Sequence, residues 1–195
     1  FKNGKYCGSP LRKELFNGRR TEAIKKYGLA AGKKTVLVFG GGSGSRAIND
    51  GLRKYVSALS RKYNVLHLCG KGNVVESNIP CYVQKEFEPD MGAAYAAADL
   101  VVSRAGSNAI FEILALKKPS LLIPLEGQSR GDQAENAAYF QKRHLCRVLK
   151  QADMDFLPEA IEDALADEEL LSALAVSDFA GGNSNILHEL HRFLV

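Results

Sequence analysis

Thr35-Val36-Leu37-Val38-Phe39-Gly40-Gly41-Gly42-Ser43-Gly44-Ser45 decides the reading of this chain. Thr35 to Phe39 is a β-rich run of strand length, and the segment from Ser45 to Ser60 has the character of a helix. Four glycines in the five positions Gly40 to Gly44 join the two. Backbone N–H groups at such a turn, with a helix dipole behind them, make an anion site suited to phosphate. The competing reading is a tight turn that needs glycine only for its dihedral angles.

Outward from this stretch, short β-rich runs alternate with helix-length segments, the pattern of a parallel sheet covered by helices on both faces. Further strands are expected near Asn64 to Cys69, Cys81 to Lys85, Leu100 to Ser103, Ser120 to Ile123 and Cys146 to Leu149. Helices are expected near Asp90 to Ala97, Ser107 to Leu116, Asp132 to Arg143, Pro158 to Ala166 and Ser184 to Leu194. The last of these carries Ile186, Leu187, Leu190, Phe193 and Leu194 on one stripe and is expected to pack on a core. Residues 1–34 are polar, with one helix around Thr21 to Tyr27, and read as a linker feeding the first strand; residues 35–195 read as the domain proper. The class is α/β.

Composition narrows the function. With 195 residues, 46% of them hydrophobic, the chain can bury a core. Its apolar runs are far shorter than the roughly 20 residues of a membrane span. The net charge of +4 is dispersed among acidic residues and the aromatic content is 8%, which argues against a nucleic-acid partner. Cys7, Cys69, Cys81 and Cys146 have neither C-x-x-C spacing nor a zinc pattern with the histidines, and suit a reducing, cytosolic setting. The first residue is Phe1 and no leader peptide is visible, so the chain reads as a fragment of something longer.

Several side chains bear chemistry. A dinucleotide site would show G-x-G-x-x-G and a carboxylate about 20 residues on. Here Ser45 takes the third glycine position and the second strand ends His67-Leu68-Cys69, which argues against NAD. A second turn, Ser103-Arg104-Ala105-Gly106-Ser107-Asn108, again joins a strand to a helix, and such turns gather where an open parallel sheet binds ligands. In the helix that follows, Glu112 is the single carboxylate of an apolar run and is expected to meet a hydrogen-bond donor, such as a ligand hydroxyl; otherwise it marks the wet edge of its helix. The polar stretch Gly127 to Asn136 carries Gln133 and Asn136 on one helical face, amides suited to sugar hydroxyls, with helix capping by Asp132 as the alternative. Asp153-Met154-Asp155 resembles a metal-binding D-x-D but precedes Pro158 and a helix, where Asp serves as an N-cap. His188 and His191 read as solvated.

Taken together, these motifs resemble the carboxyl-terminal half of the MurG family, transferases that add N-acetylglucosamine to the muramyl-pentapeptide lipid precursor of peptidoglycan. The likeness runs through Gly8-Ser9-Pro10-Leu11-Arg12, Val36 to Asn49, Glu86-Phe87-Glu88-Pro89-Asp90-Met91, Ser103 to Glu112, and Asp132-Gln133 to Asn136-Ala137. It implies a GT-B fold, of which this chain is one Rossmann-like half, and UDP-N-acetylglucosamine as donor. By that resemblance Arg12 and Phe87 flank the uracil and Glu88 offers its backbone. Gly41, Gly42, Ser43, Gly44 and Ser45 face the diphosphate, joined by the turn at Gly106, Ser107 and Asn108. Glu112 holds the ribose hydroxyls, and Gln133 and Asn136 lie toward the sugar. No metal or cofactor is implied, since helix N-termini at Ser45 and Ser107 can stabilise the leaving diphosphate.

Two positions depart from the family. Gly42 stands where Ser is common and Ala109 where Thr is common, so two hydroxyl contacts are missing, with Ser43 and Ser45 as candidate replacements. The resemblance also implies that the lipid-linked acceptor, and any general base, belong to an amino-terminal half not contained in these residues, and that the full enzyme works in the cytoplasm as a peripheral protein at the inner membrane face. Two other readings stay open: a non-catalytic donor-binding subunit that needs a separate acceptor-binding chain, and a UDP-sugar epimerase.

Overall fold

The computed structural model describes residues 5, 7–125, 132–179 and 181–194. Among the described residues six strands form one sheet: β1 (Thr35–Phe39), β2 (Asn64–Leu68), β3 (Tyr82–Lys85), β4 (Leu100–Ser103), β5 (Ser120–Leu122) and β6 (Arg147–Val148). Their order is β3-β2-β1-β4-β5-β6, and every pairing is parallel. Within the same described residues eight α-helices accompany them: α1 (Arg20–Lys26), α2 (Arg46–Lys62), α3 (Met91–Ala97), α4 (Ser107–Ala115), α5 (Asp132–Gln141), α6 (Leu157–Ala166), α7 (Glu168–Val176) and α8 (Asn183–Leu194). No helix of the described residues is long and apolar enough to cross a membrane.

Successive residues of a strand face opposite sides of the sheet. Leu37 and Phe39 accordingly join a core with α1 and α3, while Val36 and Val38 join one with α2 and α6. A third cluster around Leu122, Phe140 and Cys146 is closed by α4, α5 and α7. Helix α2 contributes Ile48, Leu52, Val56 and Leu59, all on one buried stripe. The order reverses between β1 and β4, whose last residues Phe39 and Ser103 are in register, so the glycine turns that follow these two strands flank one crevice.

Three expectations need correction. Residues 13–34 do more than lead into β1: a 3-10 helix (Lys13–Phe16) and α1 pack on α3, burying Leu15, Ala23, Tyr27 and Leu29. Gly18 and Gly92 permit the approach, since a Cβ on Gly18 would lie 2.1 Å from the Gly92 carbonyl oxygen. Helix α7 was not expected; Asp167 caps it by accepting from the Leu170 N–H at 3.0 Å, and Leu170 and Leu174 fill the third cluster. On α8, Leu187 and Leu190 are 57% and 53% exposed, so this part of its stripe covers no core. The three clusters are already closed by other helices when the chain reaches α8. Of the cysteines, Cys69 and Cys146 are buried and Cys7 and Cys81 half-buried, all as free thiols.

A buried polar chain braces the first glycine turn. His67, fully buried on β2, shares hydrogen bonds of 2.9 Å with Tyr82 Oη and with Asn49 Oδ1, and Asn49 Nδ2 donates to the Cys69 carbonyl at 2.8 Å. That carbonyl presses on the turn: a Cβ on Gly44 would lie 2.2 Å from it. Burial, with Arg53 nearby, lowers the His67 pKa to about 4. The unfolded chain therefore takes up this proton near pH 6.5 and the folded chain only near pH 4, so His67 disfavours folding as pH falls between those values. Between pH 6.5 and 5 the loss is about 2 kcal/mol. Urea unfolding at both pH values should show a smaller acid loss in His67→Gln than in the natural chain.

Candidate functional site

Two adjoining cavities occupy the crevice. One, of about 260 Å³, is walled by Arg12, Phe39, Gly41, Gly42, Phe87, Glu88, Tyr95, Asn108 and Glu112. The other, of about 610 Å³, is walled by Gly40, Gly41, Gly44, Ser45, Arg46, Asp50, Arg104, Gly106, Gln133 and Gln151. Phe39, Gly41 and Ala109 belong to both, so the cavities meet above the ends of β1 and α4.

The glycines of the first turn serve different ends. Gly41 and Gly44 have φ of +93° and +80°, which an L side chain resists. Gly40 is held by packing, because a Cβ there would lie 2.3 Å from that of Ser45. At Gly42 neither constraint applies. Gly106 is similar: its φ is −71°, a Cβ would meet nothing within 4 Å, and it starts α4 with no side-chain cap. The free space over Gly42 and Gly106 is room for a ligand against the backbone. Gly106→Ala should therefore melt within a few degrees of the natural chain, as an alanine fits these dihedral angles without strain, whereas a ligand seated against this backbone, titrated by calorimetry, should bind more weakly.

Glu112 has found its donors within the chain. Its side chain is 17% exposed; Oε1 accepts from Arg12 Nη2 at 3.2 Å and Oε2 from Tyr95 Oη at 3.0 Å. Tyr95 is almost wholly buried, and burial together with the neighbouring carboxylate keeps its hydroxyl protonated and donating. Arg12 is placed from the other end of the chain: Asn183 accepts from the Leu11 N–H at 2.8 Å and donates to the Leu11 carbonyl at 2.7 Å. The start of α8 thereby seats the segment that carries Arg12.

Phe87 is 66% exposed on the rim, while the Glu88 side chain turns inward with 2% exposure. Burial would raise the Glu88 carboxyl, yet Lys85, the Asp90 N–H and Lys26 together hold it below its ordinary range. Its carboxylate is thus spent on bracing the loop, while Glu88 as a residue lines the smaller cavity.

Gln133 Oε1 accepts from the Leu125 N–H at 3.0 Å, and among the described residues its amide nitrogen donates to no acceptor, while Gln133 lines the larger cavity. Asn136 instead donates to the Ala105 carbonyl at 3.2 Å, bracing the second turn from behind. Neither Asn136 nor Ser43 nor Ser107 lines either cavity. Gly127 to Gly131 lie outside the described residues. Asp155 pairs with Lys54 Nζ at 2.6 Å and Tyr55 Oη at 3.1 Å, and the residue capping α6 is Phe156, so the Asp153–Asp155 pair supplies no N-cap. Sequence reading assigns no role to Tyr95, Arg104 or Gln151, whose partners lie far along the chain; a tyrosine amid the small residues of α3 was the one visible signal.

Comparison with known proteins bears on the family and the fold. The family model described as "Glycosyltransferase family 28 C-terminal domain" matches residues 35–179. A UDP-N-acetylglucosamine--N-acetylmuramyl-(pentapeptide) pyrophosphoryl-undecaprenol N-acetylglucosamine transferase of Clostridium perfringens is 39% identical over 94% of this chain and 54% of its own. The protein of that name in Clostridium botulinum is 45% identical over 76% of this chain and 43% of its own. The crystal structure of Acinetobacter baumannii MurG, 20% identical, superposes with a TM-score of 0.70 over 91% of this chain and 54% of that one. The chain spans about half the length of these curated relatives. With its parallel sheet, its paired glycine turns and a family match across most of its length, the chain belongs to the glycosyltransferase family 28 C-terminal domain family.

Proposed function

We propose that this chain is the donor-binding part of an N-acetylglucosaminyltransferase, and that it holds UDP-N-acetylglucosamine for inverting transfer to a lipid-linked muramyl-peptide acceptor in peptidoglycan synthesis. The observation that carries the reading is the pair of joined cavities at the β1/β4 crevice, one edged by Arg12, Phe87 and Glu112, the other by both glycine turns and Gln133. The smaller suits a nucleoside, with the base between Arg12 and Phe87, the Glu88 backbone at its edge and the ribose hydroxyls on Glu112. The larger suits a diphosphate and sugar: N–H groups from Gly41 to Ser45 and at the start of α4 meet the phosphates, and Gln133 meets the sugar. Residues 35–195, together with the leading segment that carries Arg12, form the donor unit in this reading. The acceptor meets the part of the relatives' length that this chain does not span, at the cytoplasmic face of the membrane.

Calorimetric titration tests the site. UDP and UDP-N-acetylglucosamine should bind saturably and NAD should not, because the turn lacks the third glycine and β2 ends without a ribose-binding carboxylate. Saturable NAD binding with no response to UDP would overturn the reading.

A further inference from the structure

Arg104 occupies the wall of the larger cavity, between the two glycine turns, and its hydrogen bonds join four elements. Nε and Nη2 donate to Ser45 Oγ at 3.1 and 2.8 Å. Nη1 donates to the Ile123 and Pro124 carbonyls, both at 3.1 Å, and Nη2 also donates to Gln151 Oε1 at 2.7 Å. The guanidinium plane is thereby held between the end of β5 and the start of the 3-10 helix at Gln151–Phe156, with Ser45 in front of it.

Ser45 is the N-cap of α2, and the Ile48 N–H also points at its Oγ, at 3.5 Å. A hydroxyl oxygen has two lone pairs and one hydrogen. Here the lone pairs face Arg104 and the helix N-terminus, groups that only donate. Among the described residues Ser45 Oγ donates to no acceptor, and the remaining direction for its hydrogen is the cavity that it lines. A cation and a helix N-terminus on the same oxygen also make its hydrogen a stronger donor.

We propose that Arg104 is a positioning residue that converts Ser45 into a fixed hydroxyl donor for a phosphoryl oxygen of the bound nucleoside diphosphate. This rests on the nucleotide-sugar reading and adds to it a division of labour: Ser45 touches the ligand and Arg104 acts through Ser45. It also gives the first turn a side-chain phosphate contact although Gly42 offers none.

Titration of the chain with UDP and with uridine, for the natural protein, Ser45→Ala, Arg104→Lys and the double variant, decides the matter. Ser45→Ala should weaken UDP binding about tenfold, as expected for one hydrogen bond to a charged group, and leave uridine binding unchanged. Arg104→Lys should weaken UDP binding similarly, and the double variant should be no worse than Ser45→Ala alone. Phosphorus NMR of bound UDP adds an independent reading, since Ser45→Ala should move one phosphate resonance. Unchanged UDP affinity in folded Ser45→Ala would overturn the role of Ser45. Additive losses in the double variant would overturn the positioning role and place Arg104 directly on the phosphate. Absence of UDP binding by the natural chain would instead overturn the underlying assignment of the site. Should Arg104→Lys not fold, Gln151→Ala, which loosens the same guanidinium, takes its place in the cycle.

Discussion

Glu112→Ala is expected to lower the affinity of this chain for UDP about tenfold or more, because each hydrogen bond between a carboxylate and a ribose hydroxyl contributes about 1.5–3 kcal/mol. Folding should survive, because removing a lone carboxylate from an apolar helix leaves no unpaired charge behind. The structure adds a cost to this, since Glu112 accepts from the buried hydroxyl of Tyr95 as well as from Arg12. Truncation strands that hydroxyl, at a cost of about 1–3 kcal/mol. Glu112→Ala should therefore melt several degrees lower than the natural chain. Glu112→Gln separates the effects: its amide oxygen still accepts from Tyr95, so most of the stability should return while UDP affinity stays low. Glu135, exposed on α5, is the control, and Glu135→Ala should be silent in both measurements. Unchanged UDP affinity in folded Glu112→Gln would mean that the carboxylate serves only Arg12 and Tyr95.

A larger effect is expected on catalysis. Supplied with UDP-N-acetylglucosamine and a lipid-linked muramyl-peptide acceptor, the chain should transfer no sugar at a detectable rate. Its cavities account for a donor, and holding a second reactant in line contributes effective molarities on the order of 10⁵ M or more. Adding the remaining half of a full-length relative, fused or as a separate chain, should restore transfer, followed by release of UDP. Turnover by these 195 residues alone would show that acceptor binding and activation reside here and would sink the division of labour proposed above. Binding of UDP with no transfer in any combination would favour a donor-binding subunit.

Much of the scaffold was legible because period and punctuation are local properties. Thr35–Phe39 and Leu100–Ser103 emerge as strands at the bounds read from their apolar runs, and the glycines that end each run announce the turns. Glu112 was legible too, since a single carboxylate in an apolar helix implies a partner wherever the chain goes. What no local pattern could supply was the partner's identity. Arg12 reaches Glu112 across 100 positions and Arg104 reaches Ser45 across 59.

The same limit explains α8, where Leu187 and Leu190 of the apolar stripe are exposed although the stripe reads as one that a core awaits; amphipathicity records that a face is apolar, and only the packing of the other helices decides what is left for it to cover. It also applies to Glu88, whose buried carboxylate is held by Lys26 and Lys85, the first of them 62 positions away. The sequence by itself determined the α/β alternation, the two glycine turns and the lone carboxylate of the helix after the second turn, because strand runs, breakers and lone charges act over a few residues. That both turns face one crevice follows from the same alternation, but the tertiary structure alone decided that Arg104 stands between them on Ser45, because parallel pairing of β1 with β4 aligns the ends of strands more than 60 residues apart.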